Sequence, residues 1–179
     1  STDQIDVENA KRYGITFTDE NNEQKYPIIL HNSPSGAVER VIYALLEKFA
    51  KQAKNGKKPQ FPLWLAPIQV RIIPLKDDFL KFSNDLASKL SEYNIRVDID
   101  DRNDTIGKRI RDAEKEWINY VLVIGEKEVN SSNLSIRDRT TSNVRDLSIE
   151  NFVKEIKDAT KDKPFSKRNS PILLSQRPQ

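Results

Sequence analysis

"YVLVIG", residues 120–125, decides the fold. It is a continuous apolar strand ending at Gly125, of the kind buried on both faces, and such strands need helices above and below them. The flanking sequence supplies those helices. On the N-terminal side, "TIGKRIRDAEKEW" (105–117) places Ile106, Ile110, Ala113 and Trp117 on one helical face. Before it come a strand, "IRVDID" (95–100), and an amphipathic helix, "KDDFLKFSNDLASKLSEYN" (76–94), with Phe79, Phe82, Leu86 and Leu90 on its inner face. "QVRIIPL" (69–75) is again strand-like. On the C-terminal side, "NLSIRDR" (133–139) is another strand. "TTSNVRD" (140–146) separates it from a last helix carrying Ile149, Phe152, Val153 and Ile156. The order β-α-β-α-β-β-α predicts an α/β mixed sheet with helices packed on it.

The front of the chain follows a different pattern. Residues 15–31 read as a hairpin: "ITFT" alternates, "DENNEQ" is turn chemistry, and "YPIILH" is a second strand of buried character. From Gly36 helical spacing takes over, with Val38, Val41, Ile42, Leu45, Leu46 and Phe49 on one face. The basic, proline-bounded segment that follows reads as a linker over 51–66. The domain unit then covers 67–165. A tail over 166–179, polar around Ile172 to Leu174, is expected to dock on the surface or fray.

Composition sets the outer limits. The 179 residues give room for one ordinary domain plus something smaller. No apolar run approaches the roughly 20 residues a membrane helix needs, so no membrane partner is expected. The start, "STDQIDVENAKRYG", lacks the layout of a signal peptide. The absence of cysteine excludes disulfides and thiolate metal sites and fits a cytoplasmic protein. A net charge of +3 permits nucleic-acid binding without arguing for it.

Three constellations carry chemistry. His31 is the only histidine, and one histidine cannot hold a catalytic metal that needs about three protein ligands. On spacing alone it is a structural residue. Arg40 opens a helix, where a cation opposes the dipole; it serves an anionic partner or a neighbouring carboxylate. Asp98, Asp100, Asp101 and Asp104 have neither the spacing of a calcium loop nor freedom from Arg102 among them. Beside them Lys108, Arg109 and Arg111 form either a solvated face or a phosphate contact. Glu128, Arg137, Arg139 and Arg145 gather around two strand ends. Arginine forks and a carboxylate acceptor suit base edges, and they equally suit surface ion pairs.

"FPLWLAPIQVRIIPL", "VDIDDRNDTIGKRIRDAE", "YVLVIGEKEV" and "LSIRDR" together resemble the C-terminal anticodon-binding domain of class II aminoacyl-tRNA synthetases. That domain is shared by threonyl, prolyl, histidyl and glycyl enzymes. "YPIILHNSPSGAVER" is similar to the last motif of the class II catalytic domain in its threonyl version, and "PILLSQRP" to the ending of archaeal-type threonyl enzymes. The resemblance implies a mixed five-stranded sheet flanked by three helices. A hairpin-and-helix remnant of the catalytic domain, residues 1–50, would precede it.

The same resemblance implies roles. His31 matches a zinc ligand whose partner ligands lie far upstream, and Arg40 matches an arginine that stabilises ATP phosphate charge. Asn103, Glu128 and Arg137 match residues that contact anticodon bases. Lys108, Arg109, Arg139 and Arg145 are then candidates for the tRNA backbone. Thr140, Thr141 and Ser142 replace the family's Arg-Arg-Gly, and Ala37 stands where a hydroxyl is common. The first and second class II motifs are missing. The chain alone is therefore expected to be inactive and to need neither zinc nor ATP and magnesium, which serve the full-length parent. Expected partners are threonine tRNA and the remainder of a synthetase, in the same chain or a separate one, with the parent a homodimer. The alternatives are a stand-alone tRNA-binding adaptor, an editing-associated truncated synthetase, or the anticodon domain of another class II enzyme.

Overall fold

In the computed structural model the chain is described over residues 2–34 and 36–178. It divides into two compact units, Ser1–Lys48 and Phe49–Gln179.

The first unit begins with strand β1 (Thr2–Asp6) and the short helix α1 (Asn9–Tyr13). Asp6 Oδ1 accepts the backbone N–H groups of Glu8 at 3.0 Å and Asn9 at 2.9 Å, donors that a helix start leaves open. Strands β2 (Phe17–Thr18) and β3 (Gln24–Lys25) follow, then β4 (Ile29–Ser33) and helix α2 (Val38–Lys54), which continues into the second unit. Asp19 builds the β2–β3 turn, accepting the N–H groups of Asn21 and Glu23, both at 2.9 Å.

Two expectations for this unit need correction. The hairpin read over 15–31 shrinks to Phe17↔Lys25 and Thr18↔Gln24, and β4 does not belong to it. Instead β4 pairs antiparallel with β1, placing Gln4 opposite His31 and Ile5 opposite Leu30. The partner strand was illegible because "TDQID" holds a single apolar residue, and Ile5 is itself 71% exposed. Nor is β4 buried: Leu30 is 75% exposed. Helix α2 forms where the spacing places it, yet Val38, Val41, Ile42 and Leu46 stay exposed and only Phe49 is buried.

The second unit is built on β5 (Val70–Pro74), α3 (Leu80–Glu92), β6 (Val97–Ile99), α4 (Ile106–Lys115) and β7 (Tyr120–Ile124). The one-turn helix α5 (Glu126–Val129), β8 (Asn133–Asp138), β9 (Val144–Ser148) and α6 (Ile149–Ala159) complete it. The five strands run in the order β6-β5-β7-β8-β9. The first three are parallel, and β8 and β9 join antiparallel. A mixed five-stranded α/β sheet is therefore present. Its fifth strand, β9, occupies part of the stretch read as a separator. "VRDLS" is an edge strand with Val144 and Asp146 exposed, so its pattern carries little apolar signal.

Crossover handedness distributes the helices. The step from β5 to β6 and the step from β6 back across β5 to β7 run in opposite directions. Right-handed connections therefore put α3 and α4 on opposite faces. On one face Ile72, Ile99, Leu122 and Ile136 pack with Leu86, Leu90, Phe152 and Ile156 of α3 and α6. On the other, Ile73 and Val121 pack with Ala113 of α4 and with Ile118. "YVLVIG" thus lies between helices, as its composition requires.

The residues expected to link the units belong structurally to the second. Phe49, Phe61 and Trp117 form an aromatic cluster with ring centroids 5.3–6.1 Å apart. Arg96 donates to the carbonyls of Ala66 at 2.8 Å and Trp64 at 2.6 Å. The tail docks: Leu173 bridges Ile99 in parallel, Ser175 donates to Asp101, and Arg177 Nη1 lies 2.9 Å from Asp98 Oδ2.

Candidate nucleic-acid interface

Asp98 belongs to a buried ion network. Arg71, wholly buried, donates through Nε and Nη2 to both Asp98 oxygens at 2.9 Å, and through Nη1 and Nη2 to Glu116 at 2.9 and 2.7 Å. Burial works against the Arg71 charge. Hydrogen bonds to Asp98 and Glu116 outweigh that and hold its pKa above the ordinary value. Asp100 binds Arg102, Asp101 binds Ser175, and Asp104 binds Lys108 at 2.7 Å. The four aspartates in and just after β6 are therefore engaged by cations or a hydroxyl rather than gathered around a common point. Among the described residues no group of three His, Cys, Asp or Glu side chains is placed to hold a metal ion.

These ion pairs shape the loop over 100–105. The loops after β5 and β6 leave the sheet toward opposite faces, and a polar groove of about 550 Å³ opens between them. Such crevices at the carboxyl ends of parallel strands are where α/β sheets take ligands. Asn103 lines this groove, exposed, while Asp100 and Asp101 on its N-terminal side are pinned.

The second surface is the α4-side face of β8 and β9. Leu134 and Ile136 point into the core, so alternation turns Ser135 and Arg137 the other way. The register sets Ser135 opposite Asp146, and Arg137 opposite Val144 and Val121. This part of the face stays open. Val144 and Asp146 are exposed, and Ser135 and Arg137 are half-buried. Among the described residues no hydrogen bond or ion pair engages the Arg137 guanidinium.

Glu128 stands at the margin of that face but is 7% exposed. Its Oε2 accepts the Gly125 N–H at 3.0 Å and its Oε1 accepts the Ser135 hydroxyl at 2.8 Å. A Cβ on Gly125 would sit 2.7 Å from Leu75 Cδ1, so any larger residue there would make that half-exposed side chain swing aside. The carboxylate thus orders the turn after β7 and orients Ser135, a residue the sequence reading did not single out. The alternation of "NLSIRDR" was the signal that places Ser135 beside Arg137.

The four cations proposed for the backbone are not brought together. Lys108 is exposed and paired with Asp104. Arg109 is buried, donating to the Asp100 carbonyl at 2.9 Å, with its Nε unpartnered. Arg139 is nearly buried. It donates to the carbonyls of Pro59 at 2.8 Å and Glu114 at 2.6 Å, and desolvation lowers its pKa. Arg145 points to the opposite face, toward α6, where Nη1 binds Glu155 at 2.8 Å and Tyr120 OH lies 3.1 Å from the same carboxylate. Arg109, Arg139 and Arg145 are therefore held by the framework, and sequence spacing could not reveal this because their partners lie on other segments of the chain.

In the first unit His31 is exposed on β4, and Arg40 is exposed at the start of α2. Gly36, at φ 73°, lets the Arg40 guanidinium lie back on the loop; a Cβ there would come 3.2 Å from its Nη1.

The α/β sheet thus presents an unpartnered arginine on an open face and, at the carboxyl ends of β5 and β6, a polar crevice, two places where a polar ligand could be met. The chain belongs to the anticodon binding domain family, whose model matches residues 69–159. Within that family it is similar to threonine–tRNA ligases. Over all 179 residues it is 66% identical to the threonine–tRNA ligase of Nitrosopumilus maritimus (strain SCM1) and 54% identical to that of Cenarchaeum symbiosum (strain A). It spans 29% of the length of each of these relatives. Its fold is similar to that of the RNA binding domain of threonyl-tRNA synthetase from Cryptosporidium parvum Iowa II. The TM-score is 0.58 at 24% identity, over 94% of this chain and 40% of that one. Among the described residues no helix is long and apolar enough to cross a membrane.

Proposed function

We propose that the second unit recognises the anticodon of threonine tRNA, as part of a cytoplasmic, homodimeric enzyme that joins threonine to tRNA using ATP. One observation carries the reading: the half-buried, unpartnered Arg137 guanidinium on an open sheet face. A planar fork of donors held in place but unspent is suited to bidentate contact with a base edge. Asn103 offers an amide from the crevice at the carboxyl ends of β5 and β6, and Glu128 acts by fixing Ser135 rather than by meeting a base itself.

The first unit fits the same reading as part of a larger catalytic domain. His31 and Arg40 have exposed side chains, and Leu30, Val38 and Ile42 around them expose apolar surface that further protein would cover. His31 then contributes a single zinc ligand and Arg40 a phosphate contact only where the remainder of the enzyme, on the same or another chain, supplies the other groups. Zinc does not fit this chain by itself, and no chemistry here passes through it.

Arg137→Ala tests the proposal by equilibrium binding. Affinity for threonine tRNA should fall about 10–100-fold, the worth of one bidentate base contact, with a smaller loss for other tRNAs. An equal loss for every tRNA would assign Arg137 to phosphates and remove the base-reading role.

A further inference from the structure

A second surface of the second unit remains unexplained by anticodon reading. Three adjoining concavities of about 280, 230 and 580 Å³ share Arg96 and Phe165. They lie at the amino-terminal ends of β5 and β6, where Gln69 and Arg96 enter the sheet, whereas Asn103 follows the carboxyl end of β6. Lys157, Lys163, Lys167 and Arg168 line them together with Arg96, and no carboxylate does.

The arginines in and around the sheet are divided in their partners. Arg71, Arg102 and Arg145 all hold carboxylates. Arg96 instead donates to the carbonyls of Leu63, Trp64 and Ala66 and lies 5.5 Å from the centroid of the Phe165 ring. Its charge is partly desolvated, and this lowers its pKa. Lys157 Nζ sits 4.4 Å from the centroid of the Tyr93 ring. Backbone oxygens and aromatic faces thus fix two cations without neutralising them. Lys163, Lys167 and Arg168 stand exposed on the segment that forms the rim. A concave, uncompensated positive field of this kind concentrates polyanions.

We propose that this cleft is a second RNA-contacting surface, gripping the phosphodiester backbone without regard to sequence. It rests on the proposed tRNA recognition, and it divides the labour. The open face of β8 and β9 selects, and the cleft beside the amino-terminal ends of β5 and β6 holds. RNA is favoured over an acidic protein because one polyanion then engages both charged surfaces of the same unit.

The test uses the full chain carrying Lys163→Gln, Lys167→Gln and Arg168→Gln together, exposed positions whose loss spares the core. Affinities for threonine tRNA and for a non-cognate tRNA are measured between about 50 and about 200 mM salt. Both should fall by the same factor, about tenfold or more, and the slope of log affinity against log salt should shrink by about 2–3, nearly one per lost contact. Unchanged affinity and slope would overturn the proposal, and so would a loss confined to threonine tRNA. Poly-glutamate binding the unmodified chain as tightly as tRNA does would overturn the assignment to RNA. Arg137→Ala, measured in parallel, keeps the two ideas separate. If it leaves discrimination intact while the triple variant weakens all tRNAs, base reading by Arg137 fails and the cleft stands.

Discussion

The two units use apolar residues in contrasting ways. In the second, Ile72, Leu122, Ile136 and Phe152 are fully buried between a sheet and its helices. In the first, Leu30, Val38, Tyr43 and Tyr26 are more than half exposed, and Ala10 is the one buried hydrophobic residue found among those described. Both have the periodicity of packed elements. Periodicity therefore reports which face an element offers, and only tertiary structure reports whether the offer is taken.

The contrast breaks most sharply under core truncation. Phe152→Ala should destabilise the second unit by about 3–5 kcal/mol, the usual range for emptying a packed aromatic site, read as a lower denaturation midpoint. A loss under about 1 kcal/mol would mean that its core is as loosely held as the apolar face of the first unit.

Arg177→Ala is the next test. It removes a charged hydrogen bond to buried Asp98, worth about 1.5–3 kcal/mol, while Arg71 continues to neutralise the carboxylate. Amide exchange in β6 should quicken with the fall in stability.

Acid gives a finer probe. The Arg145 hydrogen bond holds the Glu155 pKa below its ordinary value, burial opposing. A carboxyl depressed in the folded state adds stability that is whole above the ordinary glutamate range and drains away as pH falls through the folded value. Glu155→Gln should therefore flatten the acid limb of a stability-versus-pH curve and change its shape little near neutrality. A parallel acid limb in the variant would show that the Arg145 pairing contributes nothing.

The smallest effect belongs to the first unit. Leu30→Ala should change the stability of this chain by no more than about 0.5 kcal/mol, as expected of an exposed position. A larger cost would show that β4 is covered after all.

The sheet was largely legible before the structure because "YVLVIG", "QVRIIPL" and the helix between Phe79 and Leu90 obey local rules that tertiary packing did not override. Two strands escaped. β1 and β9 are polar and at sheet margins, so neither carries the apolar signature that strand reading depends on. For the candidate interface the sequence supplied residue types and hid which of them the fold spends on itself. Arg137 and Arg145 look equivalent in sequence, yet they point to opposite faces, and one is spent on Glu155. Arg139 and Arg109 face inward toward backbone carbonyls 80 and 9 residues distant in sequence. Backbone carbonyls carry no residue type, so partners of that sort leave no trace in the sequence.

The bridge between Leu173 and Ile99 has a consequence in time. On a ribosome moving at about 5–20 residues per second, the tail emerges roughly 4–15 s after the strand it covers. Throughout that interval the outer margin of β6 is an unclaimed row of donors and acceptors, open to any passing extended chain. The docked tail is thus also a clock. It sets how long a newborn copy must stay clear of its neighbours before the edge at Ile99 is covered.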